Sequence, residues 1–278
     1  MLTKKLGICR TEYGRLIEVL VCSPEEMRIE EVINRTQEKY EEIDQTKAVE
    51  EHNYFVLLLR EHGVHVHYLK PSEKMPEQVF TRDLGFTSEQ GIILGSMRTD
   101  IRRPETNRFE VWMEKNGWAY DQITNAPLEG GDVLLSGDTI YIGESSRTTS
   151  AAIEAVQGAF SDYQVVVLPF AKEYLHLDCV FNILSEDTAL LFPDALSEEH
   201  VSVLENKFHI IRVKPEEQFY LGTNVLSIGE KKVCSLPENK RINEEMTARG
   251  FTVLPVPFSE IIKSGGSYRC CTFPLIRE

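Results

Sequence analysis

Residues able to do chemistry recur along this chain at a near-constant interval. Asp83, Asp132, Asp178, Asn224 and the pair Cys270 and Cys271 stand 49, 46, 46 and then 46 or 47 positions apart, with Glu129 and His176 just upstream of two of them. Singly, each has an ordinary structural use: Asp132 and Asp178 as turn residues, His176 as a core histidine, either cysteine as a small apolar side chain. At matching positions of a repeat they would instead converge on one cavity. A cysteine there needs a histidine for thiolate formation and proton delivery, and Glu129 would orient or polarise that imidazole. Two further carboxylates aimed at one pocket repel each other unless a cation lies between them, and a planar guanidinium satisfies both with paired hydrogen bonds. The chemistry this predicts is attack by a cysteine on the central carbon of a guanidine, rather than on a peptide or acyl group.

The elements that must hold these residues form a repeat of their own. An amphipathic helix, a polar turn and a β-rich run follow one another in FVLLLREHGVHVHYL (55–69), VWMEKNGWAYDQI (111–123), AIEAVQGAFSDYQVVVLP (152–169), HVSVLENKFHIIRV (200–213) and INEEMTARGFTVLPV (242–256). The β portions begin near Val64, Trp118, Tyr163, Phe208 and Phe251. Between these copies lie hairpin patterns, each an acid or amide ahead of two apolar runs split by a polar turn. Such ββαβ units are too small to bury their own apolar faces. Five of them predict an α/β fold, a five-bladed pseudo-symmetric propeller around a central cavity, formed as one domain over residues 1–278. The last hairpin lacks a partner strand at the C-terminus, and RLIEVLV (15–21) would supply it, hiding two sheet edges. A two-domain dinucleotide-binding arrangement is disfavoured, because no GxGxxG follows a strand.

Composition narrows the partners. The 278 residues are 42% hydrophobic and 27% charged, with a formal charge of -14. That charge opposes nucleic acid and anionic membrane as partners and favours a small cationic ligand, although acidity also serves solubility. The N-terminal segment meets charge too early for a secretory signal, and no uncharged apolar run approaches the ~18 residues of a membrane helix, so a cytoplasmic location is expected. Six cysteines without a CxxC pair read as reduced thiols. His62, His65 and His67 in HGVHVHY fall on an expected strand with no cysteine or carboxylate near them in sequence, so they read as a partly exposed strand face. Neither a metal nor another cofactor is expected.

Five segments together resemble the guanidine-modifying (pentein) superfamily of arginine deiminases, dimethylarginine dimethylaminohydrolases and amidinotransferases. They are TEYGRLIEVLVCSP (11–24), FTRD (80–83), LEGGDVL (128–134), HLDCVFNI (176–183) and GGSYRCCTFPL (265–275). The resemblance implies that Cys270 attacks the guanidine carbon and forms a covalent thiouronium-like adduct. It further implies His176 as general acid and base, Glu129 as its partner, and Asp83 with Asp178 as the guanidinium clamp, Asp132 lying beside them in the substrate-binding set. Arg147 in SSRTT and Arg102 in RRPET match positions that bind the substrate carboxylate, Arg103 being an equal candidate to Arg102 by spacing. The family's Cys, one residue, then Ser or Thr is met by Cys270, Cys271 and Thr272; neighbours on a strand also face opposite ways, so only one of the two cysteines would face the cavity.

Subfamily marks divide. FTRD and HLD look like deiminases and HLDCVFNI also like amidinotransferases, whereas the compact length, GESSRTT (143–149) and the consecutive cysteines look like dimethylargininases. The expected reaction is hydrolysis of Nω-methylated arginine to citrulline and methylamine or dimethylamine, with Asp178 keeping arginine deimination or amidino transfer open. The partner is then a small guanidino substrate, and a homodimer is compatible with the sequence. The resemblance also admits a non-enzymatic reading, since ribosome-associated anti-association factors share the propeller, but such a factor has no need of Cys270, His176 and Glu129 in register.

Overall fold

Each repeat forms one three-stranded sheet crossed by a helix in the computed structural model, which describes residues 4–40 and 42–278. In chain order these are β1 (Leu16–Cys22), α1 (Gln45–Glu61) and β2 (His65–Leu69), then β3 (Gly85–Ser88), β4 (Gly91–Leu94), α2 (Arg103–Asn116) and β5 (Tyr120–Asp121). Next come β6 (Val133–Ser136), β7 (Thr139–Glu144), α3 (Ser150–Ala159) and β8 (Gln164–Pro169), followed by β9 (Phe181–Ile183), β10 (Thr188–Leu191), α4 (Glu198–Lys207), β11 (His209–Arg212) and the short α5 (Pro215–Phe219). The chain ends with β12 (Leu226–Gly229), β13 (Lys232–Ser235), α6 (Lys240–Ala248), β14 (Thr252–Pro255) and β15 (Phe273–Arg277).

The topology follows from connection length. In four of the units a short turn joins the first two strands and forces them antiparallel, and in all five a helical crossover returns the last strand parallel to the one before it. Thus β6 pairs antiparallel with β7, and β7 pairs parallel with β8 from Thr139 against Gln164 to Glu144 against Pro169. Three of the helices begin where a side chain accepts a free backbone N–H: Asp44 accepts from Lys47, Thr149 from Ala152 and Ser197 from His200. Their apolar stripes, such as Ala48, Phe55, Val56 and Leu59 of α1, are buried.

The ring closes as the sequence predicts. β1 pairs antiparallel with β15 and parallel with β2, so the fifth sheet joins both ends of the chain. This strand starts and ends one residue later than the expected 15–21. Successive sheets touch around the circle, β15 with β3, β6 with β9 and β1 with β12. Between the sheets of β9 and β12, Asn182 Nδ2 donates to the carbonyls of Thr223 at 2.7 Å and Val225 at 2.8 Å.

Two expectations change. Cys270 and Cys271 lie in the turn before β15, not on a strand, so strand alternation does not separate them. The parallel pairing of β1 with β2 sets Glu18 opposite His65, so a carboxylate does stand beside the histidine run. Sequence proximity could not show it, because the two strands are 49 residues apart at that contact.

Candidate active site

Three short 3-10 turns, Thr81–Leu84, Gly130–Asp132 and Leu177–Cys179, lead into β3, β6 and β9 and pack against one another. They are equivalent positions of successive repeats. Asp83 lies in the first, Glu129 immediately precedes the second, and His176 immediately precedes the third. The two glycines of LEGGDVL allow this approach. A Cβ on Gly130 would stand 1.8 Å from the Gly85 carbonyl oxygen, and one on Gly131 would stand 2.7 Å from His176 Cγ and 2.8 Å from Asp83 Oδ1.

His176 is fully buried between carboxylates. Its Nε2 lies 2.7 Å from Glu129 Oε2, and since a carboxylate only accepts, Nε2 carries the proton. Its Nδ1 lies 3.5 Å from Asp83 Oδ1, and neither of those two atoms makes a hydrogen bond. Burial works to lower the imidazole, but Asp83, Glu129 and Asp132 outweigh it and raise it to about 9. Burial likewise works to raise Glu129, and the hydrogen bond and charge of His176, with Arg147 and Arg102, hold it down to about 2. The second oxygen of Glu129 accepts from the Arg98 backbone N–H at 2.9 Å.

Cys270 sits across the turn. Its Sγ is 3.6 Å from Asp178 Oδ2 and 3.9 Å from Oδ1. Burial pushes its thiol well above the usual range, and Asp178, Cys179 and Asp83 add to this. Two backbone bonds fix it: Asn224 Oδ1 accepts from the Cys270 N–H at 3.2 Å, and the Cys270 carbonyl accepts from the Arg82 N–H at 3.0 Å. The second bond places Asp83, one residue on, beside the cysteine turn.

Asp83, Glu129, His176, Asp178 and Cys270 are therefore brought together. Arg147 joins them: it is 4% exposed, its Nη1 is 3.7 Å from Glu129 and has no hydrogen-bond partner, and its Nη2 donates to the Ile33 carbonyl at 3.0 Å. Arg102 is buried too, but its donors are taken. It donates to Asp83 Oδ2 at 2.6 Å, to both oxygens of Glu105 and to the Phe80 carbonyl, so in this structure it serves as counter-ion to Asp83. Arg103 is an exposed residue paired with Asp100. Asp132 is also used by the fold, Oδ1 accepting from the Leu177 N–H at 2.8 Å and Oδ2 from Ser145 Oγ at 2.6 Å. Burial raises its carboxyl to about 6.

A second set of buried charges went unassigned in the sequence. Arg269 donates to Asp178 Oδ2 at 2.6 Å, to Glu12 and to the Val133 carbonyl. Arg82 lies 3.6 Å from Glu12. Both arginines stand inside quoted motifs, FTRD and YRCC, and Asn224 stands at a repeat position, so the signal for each was present. Glu12 carried none.

The arrangement offers a thiol, a protonated imidazole and two anionic acceptors in one enclosed space. Asp83, Glu129 and His176 could also present three ligand atoms to a metal, all within 4.8 Å of one another. The guanidinium groups of Arg102 and Arg147 already supply positive charge there, which disfavours a further cation fixed at that point. A cleft of about 300 Å³ is lined by Asn34, Arg35, Tyr174, Cys179, Leu221 and Gly265 among others, and so meets the turn that carries Asp178 at Cys179 while Asp83, Glu129, His176, Asp178 and Cys270 themselves do not line it. No helix among the described residues is long and apolar enough to cross a membrane.

Residues 20–277 match a family model described as N,N dimethylarginine dimethylhydrolase, eukaryotic. The uncharacterized protein YkgA of Bacillus subtilis (strain 168) is 43% identical over 272 residues, covering 97% of this chain and 95% of that protein. The N(G),N(G)-dimethylarginine dimethylaminohydrolase of Mycobacterium tuberculosis is 29% identical, covering 77% of this chain and 70% of its own. Among solved structures, the substrate-bound N-terminal domain of ArgZ, an arginine dihydrolase from the ornithine-ammonia cycle in cyanobacteria, superposes with a TM-score of 0.87 at 25% identity, covering 94% of this chain and 98% of that one. The chain spans 37% of full-length bifunctional ArgZ from Synechocystis.

Proposed function

The chain belongs to the dimethylarginine-hydrolase family within the guanidine-modifying pentein superfamily, whose members act on the guanidino group of arginine derivatives, and from that premise we propose that it hydrolyses Nω-methylated arginine through a cysteine adduct. One observation carries this reading. The Asp178 carboxylate stands 3.6 Å from Cys270 Sγ, and Asp83 Oδ1 and His176 Nδ1, both buried and unpartnered, face each other at 3.5 Å in the turns packed beside it, which supports a site for a guanidinium.

In the proposed reaction the guanidinium cation enters beside Asp83 and Asp178. Its positive charge offsets the burial and the negative neighbours that keep Cys270 protonated, so the thiol releases its proton to solvent as substrate binds, His176 being already protonated. Cys270 Sγ then bonds to the guanidine carbon. His176 gives a proton to the substituted nitrogen, the bond from carbon to that nitrogen breaks, and methylamine or dimethylamine leaves. The remaining thiouronium carbon accepts water, whose proton returns to His176. Cleavage of the carbon to sulfur bond releases citrulline and restores Cys270. Glu129 holds the imidazole in place and favours its charged form, and the open Nη1 of Arg147 suits the substrate carboxylate. The segment carrying Ile33 and Asn34 is tied to this region, the Ile33 carbonyl accepting from Arg147 and the Asn34 side chain donating to the Ser264 carbonyl.

Asp178 bears on the choice of substrate. Its bond to Arg269 keeps the carboxylate paired when a methylated nitrogen offers it no proton, and this supports a methylated substrate. Arginine itself is the second reading, favoured by the presence of that carboxylate and by the likeness to an arginine dihydrolase. Incubation with asymmetric dimethylarginine, monomethylarginine, arginine and agmatine, with separate detection of ureido product, ammonia and methylamines, tests both. A hundredfold preference in kcat/KM for arginine would replace the first reading with the second. Agmatine turned over as well as the amino acids would remove the carboxylate contact.

A further inference from the structure

On the sheet that joins the two ends of the chain, three metal-ligating side chains meet away from Cys270, Glu18 and His67 half-buried and His65 exposed. Glu18 on β1 lies opposite His65 on β2 in the parallel register, and His67 follows two residues on along the same strand face. His67 Nε2 is 2.7 Å from Glu18 Oε2, and the two imidazole rings are 4.4 Å apart between centroids. One ligand atom from each of the three residues lies within 4.8 Å of the other two. The Glu18 side chain has no other hydrogen-bond partner among the described residues.

We propose that Glu18, His65 and His67 form a binding site for a divalent transition metal, Zn2+ by donor chemistry, with solvent completing the coordination. Two imidazole nitrogens and one carboxylate oxygen are borderline donors of the kind Zn2+ takes. Metal bonds of about 2.0–2.1 Å in a tetrahedron set ligand atoms roughly 3.3 Å apart. The pair formed by Glu18 and His67 is already at or inside that separation, and His65, the exposed member, needs only a side-chain rotation to join it. The six cysteines are all buried and offer no competing thiol at this face. Bound metal would clasp β1 to the strand at the edge of its sheet and stabilise the closure of the ring, because it binds the folded arrangement and not the separated strands.

The chain carries its own reporter. It has two tryptophans, and both Trp112 and Trp118 pack edge-on against His67, with ring centroids at 5.7 and 6.1 Å. A paramagnetic ion on His67 quenches them at short range.

The test uses the metal-stripped full chain, titrated with Co2+ while visible d–d absorption and tryptophan emission are followed. The expected result is one saturable equivalent in the micromolar range at which d–d absorption appears as tryptophan emission falls, with the absorption lost and the emission restored when Zn2+ displaces Co2+. His65→Ala, an exposed position whose loss spares the core, and Glu18→Gln should each weaken binding by more than the roughly tenfold cost of losing an outer contact. Zn2+ should raise the Tm of wild type and not that of His65→Ala. Cys270→Ser should bind as wild type does. Unchanged affinity in His65→Ala, no saturable quenching up to millimolar metal, or loss of binding in Cys270→Ser, which would move the ion to the reaction centre, overturns the proposal.

Discussion

Arg269 Nη1 lies 2.6 Å from Asp178 Oδ2, and the Sγ of the next residue in the chain, Cys270, lies 3.6 Å from that same oxygen. The residue before the candidate nucleophile thus neutralises one of the two carboxylates that would meet the substrate. Arg269 also reaches Glu12 and the Val133 carbonyl, which ties the cysteine turn to β6 and to the N-terminal segment. A lysine keeps the charge but has no fork to reach three acceptors. Arg269→Lys is expected to cost on the order of 1–3 kcal/mol, through acceptors left unpaired, and to lower kcat/KM as Asp178 becomes free to move. Thermal unfolding and steady-state kinetics on one preparation check this, and a variant equal to wild type in both would refute it.

The two cysteines should separate cleanly. Both cysteines belong to one buried core cluster with Val19 and Tyr268, but only Cys270 carries the contact to Asp178 and the bond from its N–H to Asn224 that aims it. Cys270→Ser is expected to lose turnover by on the order of ten-thousandfold, as removal of a nucleophile does elsewhere. Cys271→Ser should keep most of it. A haloacetamidine should label one cysteine per chain in wild type and none in Cys270→Ser, read by intact mass.

Stability should depend on pH with opposite signs at the two partners of one hydrogen bond. The fold raises His176 from 6.5 to about 9, against the effect of burial, so its protonated form is the stabilised one. That contribution is complete below about pH 6.5 and is lost as pH rises through about 9. Glu129 is lowered from 4.5 to about 2, so its contribution is present above about 4.5 and is lost as pH falls toward 2. His176→Asn should therefore cost several degrees of Tm below about pH 6.5, progressively less as pH rises from there to about 9, and no less beyond it. A Tm difference from wild type that stays constant across this range would contradict the assignment.

What the sequence disclosed was periodic. A blade fixes the spacing of its hairpin, helix and return strand, so the recurring Asp83, Asp132, Asp178, Asn224 and Cys270 marked five equivalent turns, and Arg15 to Val21 could be assigned as the closing strand. Partner choice inside the ring is not periodic. Nothing in RRPET says that Arg102 turns inward to Asp83 and Glu105 while Arg103 stays exposed. Buried Arg82, Arg269 and Glu12 read in sequence as ordinary surface charges, because long-range pairing alone makes them tolerable in the interior. Asp132 shared the period of the other acids, yet Ser145 and the Leu177 backbone occupy it. Equivalent positions in a repeat predict equivalent places, not equivalent jobs.

Asp178 gives the sharpest test of substrate choice. One of its oxygens is held by Arg269, and the other faces the sulfurs of Cys179 and Cys270 at 3.7 and 3.9 Å, which are weak donors, so it has capacity for a guanidinium N–H. Arginine brings protons on both terminal nitrogens. An asymmetrically dimethylated guanidine has lost two of them and meets the carboxylate with methyl groups or with its remaining nitrogen. Asp178→Asn keeps the shape and one acceptor oxygen for Arg269 but removes the charge. A hydrogen bond to a charged group contributes about 1.5–3 kcal/mol, so kcat/KM for arginine should fall roughly 10- to 100-fold. The fall for dimethylarginine should be several times smaller, because less of its binding uses that charge. Equal losses for both substrates would mean that Asp178 acts on Cys270 or Arg269 alone and does not discriminate between guanidines.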